Sequence, residues 1–292
     1  MSDGDENKGK KRAVRGIAMR EDKKMEVLLA TLPEMVRRRF LYDDVARFSI
    51  TRSDQALELC ALLATLVDPQ TAAICDACAC VGGNAIFFDS VFAHTTCVEL
   101  DPIRAACLRS NLLAANPQSF AIPLIPQQRE AAATLHTPRC APCRKAVVVC
   151  DDFIKFAEAR PHMWYDVVFL DLPWGGVDYK QDAHVELTLG ATPLHTLCTA
   201  VLAHKCRFVA LKVPSNYDAA ALDHALVAHA WHKRLERHFP VSVRNNTYWV
   251  FLVYEGPDKM CPLTAAASST ASDEGDDEDV KTMMELVDKY WK

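Results

Sequence analysis

No apolar run in the 292-residue chain reaches the roughly 18 to 20 residues needed to cross a bilayer. Met1-Ser2-Asp3-Gly4, followed by Lys and Arg, also lacks the apolar core of a secretion signal. Membrane insertion and export are therefore not expected, and the chain reads as intracellular. A surplus of positive charge is missing too. The 33 Lys and Arg stand against 38 Asp and Glu, a net charge of -5, which excludes a protein that coats nucleic acid nonspecifically. Metal-ligand clusters are scarce: Cys140-Ala-Pro-Cys143 has a metal-like spacing, but only His136 lies close by, and a structural zinc needs about four ligands. No metal is expected. Nor do the 12 cysteines read as disulfides, because Cys60, Cys75, Cys97, Cys107, Cys150 and Cys198 lie within apolar runs, where a reduced thiol packs as a small hydrophobe.

What is present is enough apolar side chain for one large core, with 50% hydrophobic and 24% charged residues. The charge is unevenly spread. Residues 1–24 carry eight Lys/Arg against five Asp/Glu, residues 265–292 three against eight, and residues 25–264 22 against 25. Residues 1–24, with few large apolar groups, read as a disordered basic arm. Its Lys8-Gly-Lys10-Lys11-Arg12 and Arg15 fit a nuclear-import cluster, a contact for RNA phosphates or a solvated tail. Residues 25–264 form the folded domain. Residues 265–292 read as an acidic linker followed by a short amphipathic helix, with Val280, Met283, Met284, Val287, Tyr290 and Trp291 at helical spacing. Such a helix docks back on the domain or binds a protein partner.

Within the domain, Ala72–Cys75, Thr95–Leu100, Ala146–Cys150, Asp166–Leu170 and Phe208–Val213 read as buried strands. Helical patterns fall near 84–93, 102–115, 193–204 and 218–234. The alternation predicts an α/β fold, a mostly parallel sheet with helices on both faces. Val241–Arg244 and Tyr248–Tyr254, joined by Asn245-Asn246, predict a C-terminal antiparallel hairpin. Between Asn116 and Lys145, prolines and broken periodicity mark an insertion.

Ligands of open α/β sheets bind beyond the carboxyl ends of the strands. After the first run stands Asp76-Ala-Cys-Ala-Cys80-Val-Gly82-Gly83-Asn84, where paired glycines let a ligand approach the backbone and Asn84 suits a helix N-cap. The second run ends in Glu99-Leu-Asp101-Pro102, an acidic pair placed to accept ribose hydroxyls. The third ends in Asp151-Asp152-Phe153, a carboxylate for an adenine amine and an aromatic to border the ring. Each alone is equally well a helix cap or a tight turn; together they describe a nucleoside site. The fourth ends in Asp171-Leu172-Pro173-Trp174-Gly175-Gly176. Here an acceptor beside an aromatic resembles the motif of S-adenosylmethionine-dependent methyltransferases acting on exocyclic amines. The acceptor hydrogen-bonds a weakly nucleophilic amine while the aromatic stacks on its base.

The fuller pattern is narrower. Phe48-Ser49-Ile50-Thr51, Val81-Gly82-Gly83-Asn84, Glu99-Leu-Asp101-Pro102, Asp152-Phe153 and Val168 to Tyr179 together resemble the trimethylguanosine synthase family, RNA cap guanine-N2 methyltransferases, over roughly residues 35–256. The resemblance implies a class I methyltransferase fold with a seven-stranded sheet, S-adenosylmethionine as cofactor with S-adenosylhomocysteine as product, and a 7-methylguanosine (m7G) cap as substrate. Thr51, Asp76, Gly82, Gly83, Asn84, Glu99, Asp101, Asp152 and Phe153 would then bind cofactor. Asp171, Pro173 and Trp174 would be catalytic, and Ser49, Arg38, Arg39, Lys212, Asn216 and Trp174 would meet the capped RNA, with Lys212 reaching its phosphates. Nuclear or nucleolar residence, small nuclear or small nucleolar RNA partners and a monomeric state are implied in the same way. Cys80 stands where the family usually has Gly, Asp171-Leu172 replaces the usual Ser-Pro, and Ser215 replaces an Arg. Two other functions share the same residues: amino-methylation of guanine or adenine at internal RNA positions, and cap binding without turnover.

Overall fold

A computed structural model describes residues 22–116, 122–123, 145–176, 179–242 and 247–257. Four helices come first: α1 (Lys23–Leu28), α2 (Glu34–Arg37), α3 (Ala46–Ser49) and α4 (Ser53–Ala64). Strands and helices then alternate through β1 (Ala73–Asp76), α5 (Ala85–Val91), β2 (His94–Glu99) and α6 (Pro102–Ala115). Next are β3 (Ile122–Pro123), β4 (Lys145–Cys150), α7 (Phe153–Glu158) and β5 (Tyr165–Leu170). A 3-10 turn at Tyr179–Gln181 leads to a minor hairpin, β6 (Thr188–Leu189) and β7 (Thr192–Pro193), and to α8 (Leu194–Thr196), which continues as a π-helical turn over Leu197–Val201. The described chain closes with β8 (Cys206–Pro214), α9 (Ala219–Val227), β9 (His232–Ser242) and β10 (Thr247–Glu255).

The main sheet runs β3-β4-β2-β1-β5-β8-β10-β9. All pairings from β3 to β8 are parallel, and β10 lies antiparallel between β8 and β9. This is the class I methyltransferase arrangement, seven strands plus the two-residue β3 at one edge. Strand order reverses at β1, which pairs β2 on one side and β5 on the other. The carboxyl ends of β1 and β5 therefore open a crevice at the switch point, the usual ligand position in such sheets.

Side chains alternate cleanly between the two faces. Ile74, Cys97, Val167, Phe169, Phe208, Ala210, Trp249 and Phe251 pack under α4, α5 and α6 in one cluster. Cys75, Val98, Val168, Leu170, Val209, Leu211, Val250 and Leu252 pack under α7, α8 and α9 in the other. Because the period along a strand is two, Asp76, Asp171 and Lys212 continue the first face past Ile74, Phe169 and Ala210. The register Leu170↔Leu211 between β5 and β8 then sets Asp171 beside Lys212.

The structure corrects several boundaries. The basic arm ends earlier than residue 24, since the Asp22 side chain caps α1 by accepting the Lys24 and Met25 amides. The helix expected over 218–234 stops at Val227, and Ala230 turns the chain with φ 60. His232–Ser242 is an edge strand whose exposed face carries Lys, Arg and Glu, so its alternation reads as polar and helix-like. The hairpin is therefore longer than its apolar core suggests, and its Asn245-Asn246 turn lies outside the described residues. So do residues 1–21, most of the insertion with His136, Cys140 and Cys143, and residues 265–292, where an acidic linker and an amphipathic helix are expected. Among the described residues, no helix is long and apolar enough to cross a membrane, and no three His, Cys, Asp or Glu side chains group as metal ligands.

Candidate active site

The turn after β1 is built for close approach. Gly82 has φ +99, and a Cβ there would stand 2.8 Å from Leu108 Cδ1. At Gly83 a Cβ would stand 2.5 Å from Ile50 Cγ1 and 3.6 Å from the Thr51 amide nitrogen, so any larger residue displaces the segment that leads into α4. Asn111, fully buried on α6, fixes this turn from below. Its Nδ2 donates to the carbonyls of Leu41 and Val81, 2.8 Å each, and its Oδ1 accepts the Leu41 amide at 2.7 Å. Nothing in the sequence separates Asn111 from an ordinary polar helix residue, because both its partners are distant backbone groups.

Cys80 occupies the left-handed region at φ 50, a conformation that costs a residue with a side chain about 1–2 kcal/mol. Its amide donates to Glu99 Oε2 at 2.9 Å, so the hydrogen bond holds the strained backbone in place. Cys80→Gly should relieve that strain and raise the melting temperature by about 2–4 °C, the shift for about 1 kcal/mol in a domain of this size. An unchanged or lower melting temperature would show that the thiol packing outweighs the backbone strain.

Asp76 is 1% exposed, and neither of its carboxylate oxygens has a hydrogen-bond partner of normal geometry. Burial, then the nearby Asp171 charge, pushes its carboxyl up to about 8; the Cys78 amide facing it offsets the shift only in part. Glu99, at the end of β2, accepts the Cys80 and Asp101 amides with one oxygen each. Burial raises its pKa, and the two amides and the Arg104 charge oppose the rise. Leu100, 68% exposed between Glu99 and Asp101, adds an apolar surface at this strand end that sequence reading passed over.

Across the crevice, Asp171 and Trp174 leave the end of β5 in a loop whose Gly175 and Gly176 have φ +89 and +96. Lys212 Nζ donates to Asp171 Oδ2 at 2.7 Å and to Thr51 Oγ1 at 2.9 Å. The same ammonium lies over two indole rings, 5.2 Å from the centre of Trp174 and 5.4 Å from that of Trp249. Trp249 is held in turn by Gln55, whose Oε1 accepts the indole Nε1–H at 3.1 Å. Burial raises the Asp171 pKa, while the Lys212 charge and hydrogen bond pull it down. Trp174 is half-buried, with Tyr179 edge-on at 5.1 Å. At the rim, Lys24 Nζ sits 4.3 Å from the ring centre of Phe48, itself 59% exposed. Partial burial and then the neighbouring charges of Arg47 and Lys180 hold the Lys24 pKa below its usual range, and Arg47, which also lies over the Phe48 ring, is paired with Asp22.

The family described as RNA cap guanine-N2 methyltransferase matches residues 71–255. The chain belongs to that family. A curated relative, the uncharacterized protein L320 of Acanthamoeba polyphaga mimivirus, is 27% identical over 139 residues, 47% of this chain and 44% of that protein. The chain thus spans less than half the length of the curated relative it matches. Among solved structures, magnesium protoporphyrin IX methyltransferase from Synechocystis, with bound S-adenosylmethionine, is 14% identical with a TM-score of 0.44, covering 77% of this chain and 85% of that one. The tRNA m1G37 methyltransferase of M. jannaschii is 11% identical with a TM-score of 0.42, covering 69% of this chain and 49% of that one.

The residues at the β1 and β2 ends fit S-adenosylmethionine, the cofactor that the resemblance implies. Asp76 is an orphaned buried carboxyl suited to an α-ammonium, and Glu99 keeps acceptor capacity for ribose hydroxyls, while the Gly82-Gly83 turn owes its glycines to close packing against Leu108 and Ile50. Other residues expected at the cofactor have structural partners. Asp101 caps α6 by accepting the Ile103 and Arg104 amides, and Asp152 caps α7 by accepting those of Ile154 and Lys155. Phe153 is a core side chain stacked on Phe156 rather than an open wall. Asn84 occupies the N-cap position of α5 without capping it through its side chain, and its buried Oδ1 has no partner.

On the substrate side the structure places several residues away from solvent or from the crevice. Lys212 is not a surface cation for cap phosphates: its side chain is 5% exposed, and its donors go to Thr51 and Asp171. Asn216 staples the loop after Trp174 by donating to the carbonyls of Tyr179 and Asp182. Arg38 is exposed and paired with Glu34 of its own helix, and Arg39 is exposed beside it. Ser49 lies against the glycine turn, its Oγ 4.0 Å from Cys80 Sγ. Pro173 is exposed, whereas Leu172 is buried under the second cluster.

Proposed function

We propose that this chain methylates the exocyclic N2 amine of an m7G RNA cap, once or twice, yielding m2,7G or m2,2,7G. The observation that carries the reading is a largely buried acceptor, Asp171, next to a half-exposed indole, Trp174, at the carboxyl end of β5, across the crevice from Asp76 and Glu99. When bound, S-adenosylmethionine supplies an electrophilic methyl group on a cationic sulfur. Trp174 stacks on the base, and N7 methylation makes that base cationic, adding about 0.5 to 2 kcal/mol of cation–π attraction over plain guanine. Asp171 accepts a hydrogen bond from the amine, which frees its lone pair toward the methyl carbon and stabilises the positive charge arriving on nitrogen. S-adenosylmethionine would supply the methyl group and keep the C–S electron pair on its sulfur, and the cationic amine held by Asp171 would then lose its proton to solvent. Lys24 and Lys180 give a cationic rim for the cap phosphates, Arg47 beside them being paired with Asp22. Positioning alone is worth up to about 7 to 11 kcal/mol in well-oriented reactions. Nuclear residence and small nuclear or nucleolar RNA substrates belong to the same proposal, supported by the Lys8 to Arg15 cluster.

Matched RNAs beginning with GpppA or m7GpppA, incubated with labelled donor, test the proposal. Label should enter the m7G-capped RNA alone. Equal labelling of both would overturn the cap reading in favour of internal amino-methylation. Tight m7G-cap binding without transfer at saturating donor would make the chain a cap-binding module.

A further inference from the structure

We propose that Lys212 is a positioning residue of the methyl-transfer site, holding the Asp171 carboxylate and the Trp174 ring as one unit so that Asp171 presents an acceptor to the amine. The inference rests on the reading of Asp171 as amine acceptor. A lysine is out of place at this position on packing grounds. It follows Phe208 and Ala210 on a face that is otherwise apolar, and its side chain is 5% exposed. Burying an ammonium is costly, and a buried ion pair is commonly no more stable than a well-packed apolar pair of similar volume. Packing therefore gives no reason for the pair, whereas chemistry at Asp171 does.

The geometry shows what Lys212 does. It ties down Oδ2 of Asp171 and leaves Oδ1 free of the Lys212 ammonium, anchors itself on Thr51 Oγ1, and puts its charge over both Trp174 and Trp249. One ammonium thus fixes the acceptor, the stacking ring and the entry to α4 relative to one another. The titratable groups around Asp171 are Lys212 on β8, Asp76 at the end of β1 and Cys78 after it, with Glu99 on β2 facing Asp76. Asp76 has no cation in hydrogen-bond reach, and its carboxyl is pushed up to about 8. Asp171 is buried beside it and is drawn back only by Lys212. Removing Lys212 takes away the group that draws the Asp171 pKa down, so its carboxyl would shift further toward the protonated form, which offers the amine a donor in place of an acceptor.

Kinetics of Lys212→Met from pH 6 to 9.5 on m7GpppA-capped RNA test this. At pH 7 kcat should fall by about tenfold or more, with KM for donor and RNA changed by less than about threefold. The acid limb of the kcat profile should move up by about one pH unit or more, so activity returns in alkaline buffer. The double variant Asp171→Asn with Lys212→Met should outperform Lys212→Met at pH 7, because a neutral amide accepts without help from a cation. A profile parallel to wild type, with additive losses in the double variant, would overturn the proposal. A measurement on the unaltered protein guards against misfolding: carboxyl 13C titration of labelled aspartates, with Asp171 assigned through Asp171→Asn. Its midpoint should lie clearly below that of Asp76; a midpoint at or above Asp76 refutes the role of Lys212 whatever the substrate proves to be. If Asp171 titrates low while no RNA amine accepts a methyl group, Lys212 holds its role and the amine-transfer reading fails alone.

Discussion

Titrated with S-adenosylmethionine, the protein should bind it about tenfold more tightly for each unit of pH between 6 and about 7.5. The cause is Asp76. Its carboxyl sits at about 8, so at pH 6 it is protonated and offers the donor's α-ammonium no charge. Binding must expel that proton, and isothermal titration in buffers of different ionisation enthalpy should show close to one proton released per donor bound below pH 7. The gain levels off near pH 8, where an α-amino group begins to lose its own proton. Stability of the ligand-free protein runs the other way. A carboxyl whose folded pKa is raised from 3.8 to about 8 contributes fully below its unfolded value, and the contribution is lost as pH rises through the folded one. The ligand-free melting temperature should therefore fall between pH 5 and 8 and recover with donor bound. Asp76→Asn should flatten the slope, raise the ligand-free melting temperature at pH 8, and weaken donor binding there. A donor affinity independent of pH in the wild type would remove Asp76 from the donor site.

Trp174→Ala should weaken binding of m7GpppA by roughly ten- to hundredfold, the loss of one stacked base with its cation–π attraction. Preference over GpppA should drop toward unity, while donor affinity stays within about twofold, because Trp174 follows β5 whereas Asp76 and Glu99 end β1 and β2. Trp174 also packs against both core clusters, so Trp174→Phe supplies the control. It keeps a ring for packing and stacking, and should retain most of the affinity and part of the m7G preference. Fluorescence quenching by cap analogues reads all three proteins. Unaltered m7G preference in a folded Trp174→Ala would place cap recognition elsewhere, with Phe48 and its surrounding cations the next candidate.

The sequence and the structure agree where a local pattern carries the information. Apolar runs ending in Asp76, Glu99 and Asp171 mark strands whose carboxyl ends meet at the switch point, and Asp101-Pro102 opens a helix that runs to Ala115. Residues whose role depends on distant pairing were not legible. Lys212 reads as a cation for cap phosphates, and only the β5–β8 register brings it to Asp171, 41 positions away in the chain. Asn111 reads as one polar residue among many on α6, yet its three hydrogen bonds reach backbone 30 and 70 positions away. Asp101 and Asp152 satisfy both a cap and a ligand pattern, since a helix N-terminus and a ribose or adenine edge ask for the same acceptor. The edge strand β9 was hidden because it has one buried face, so charged residues break its apolar run.

The site of methylation itself is the most direct measurement. RNA beginning with m7GpppA, carrying internal guanines and adenines, is incubated with deuterium-labelled donor, digested to nucleosides and cap dinucleotides, and analysed by mass spectrometry. A cap N2 methyltransferase places the label on the exocyclic amine of the m7G cap and leaves internal bases unlabelled. Label on internal guanine or adenine, with the cap unmodified at N2, would contradict it.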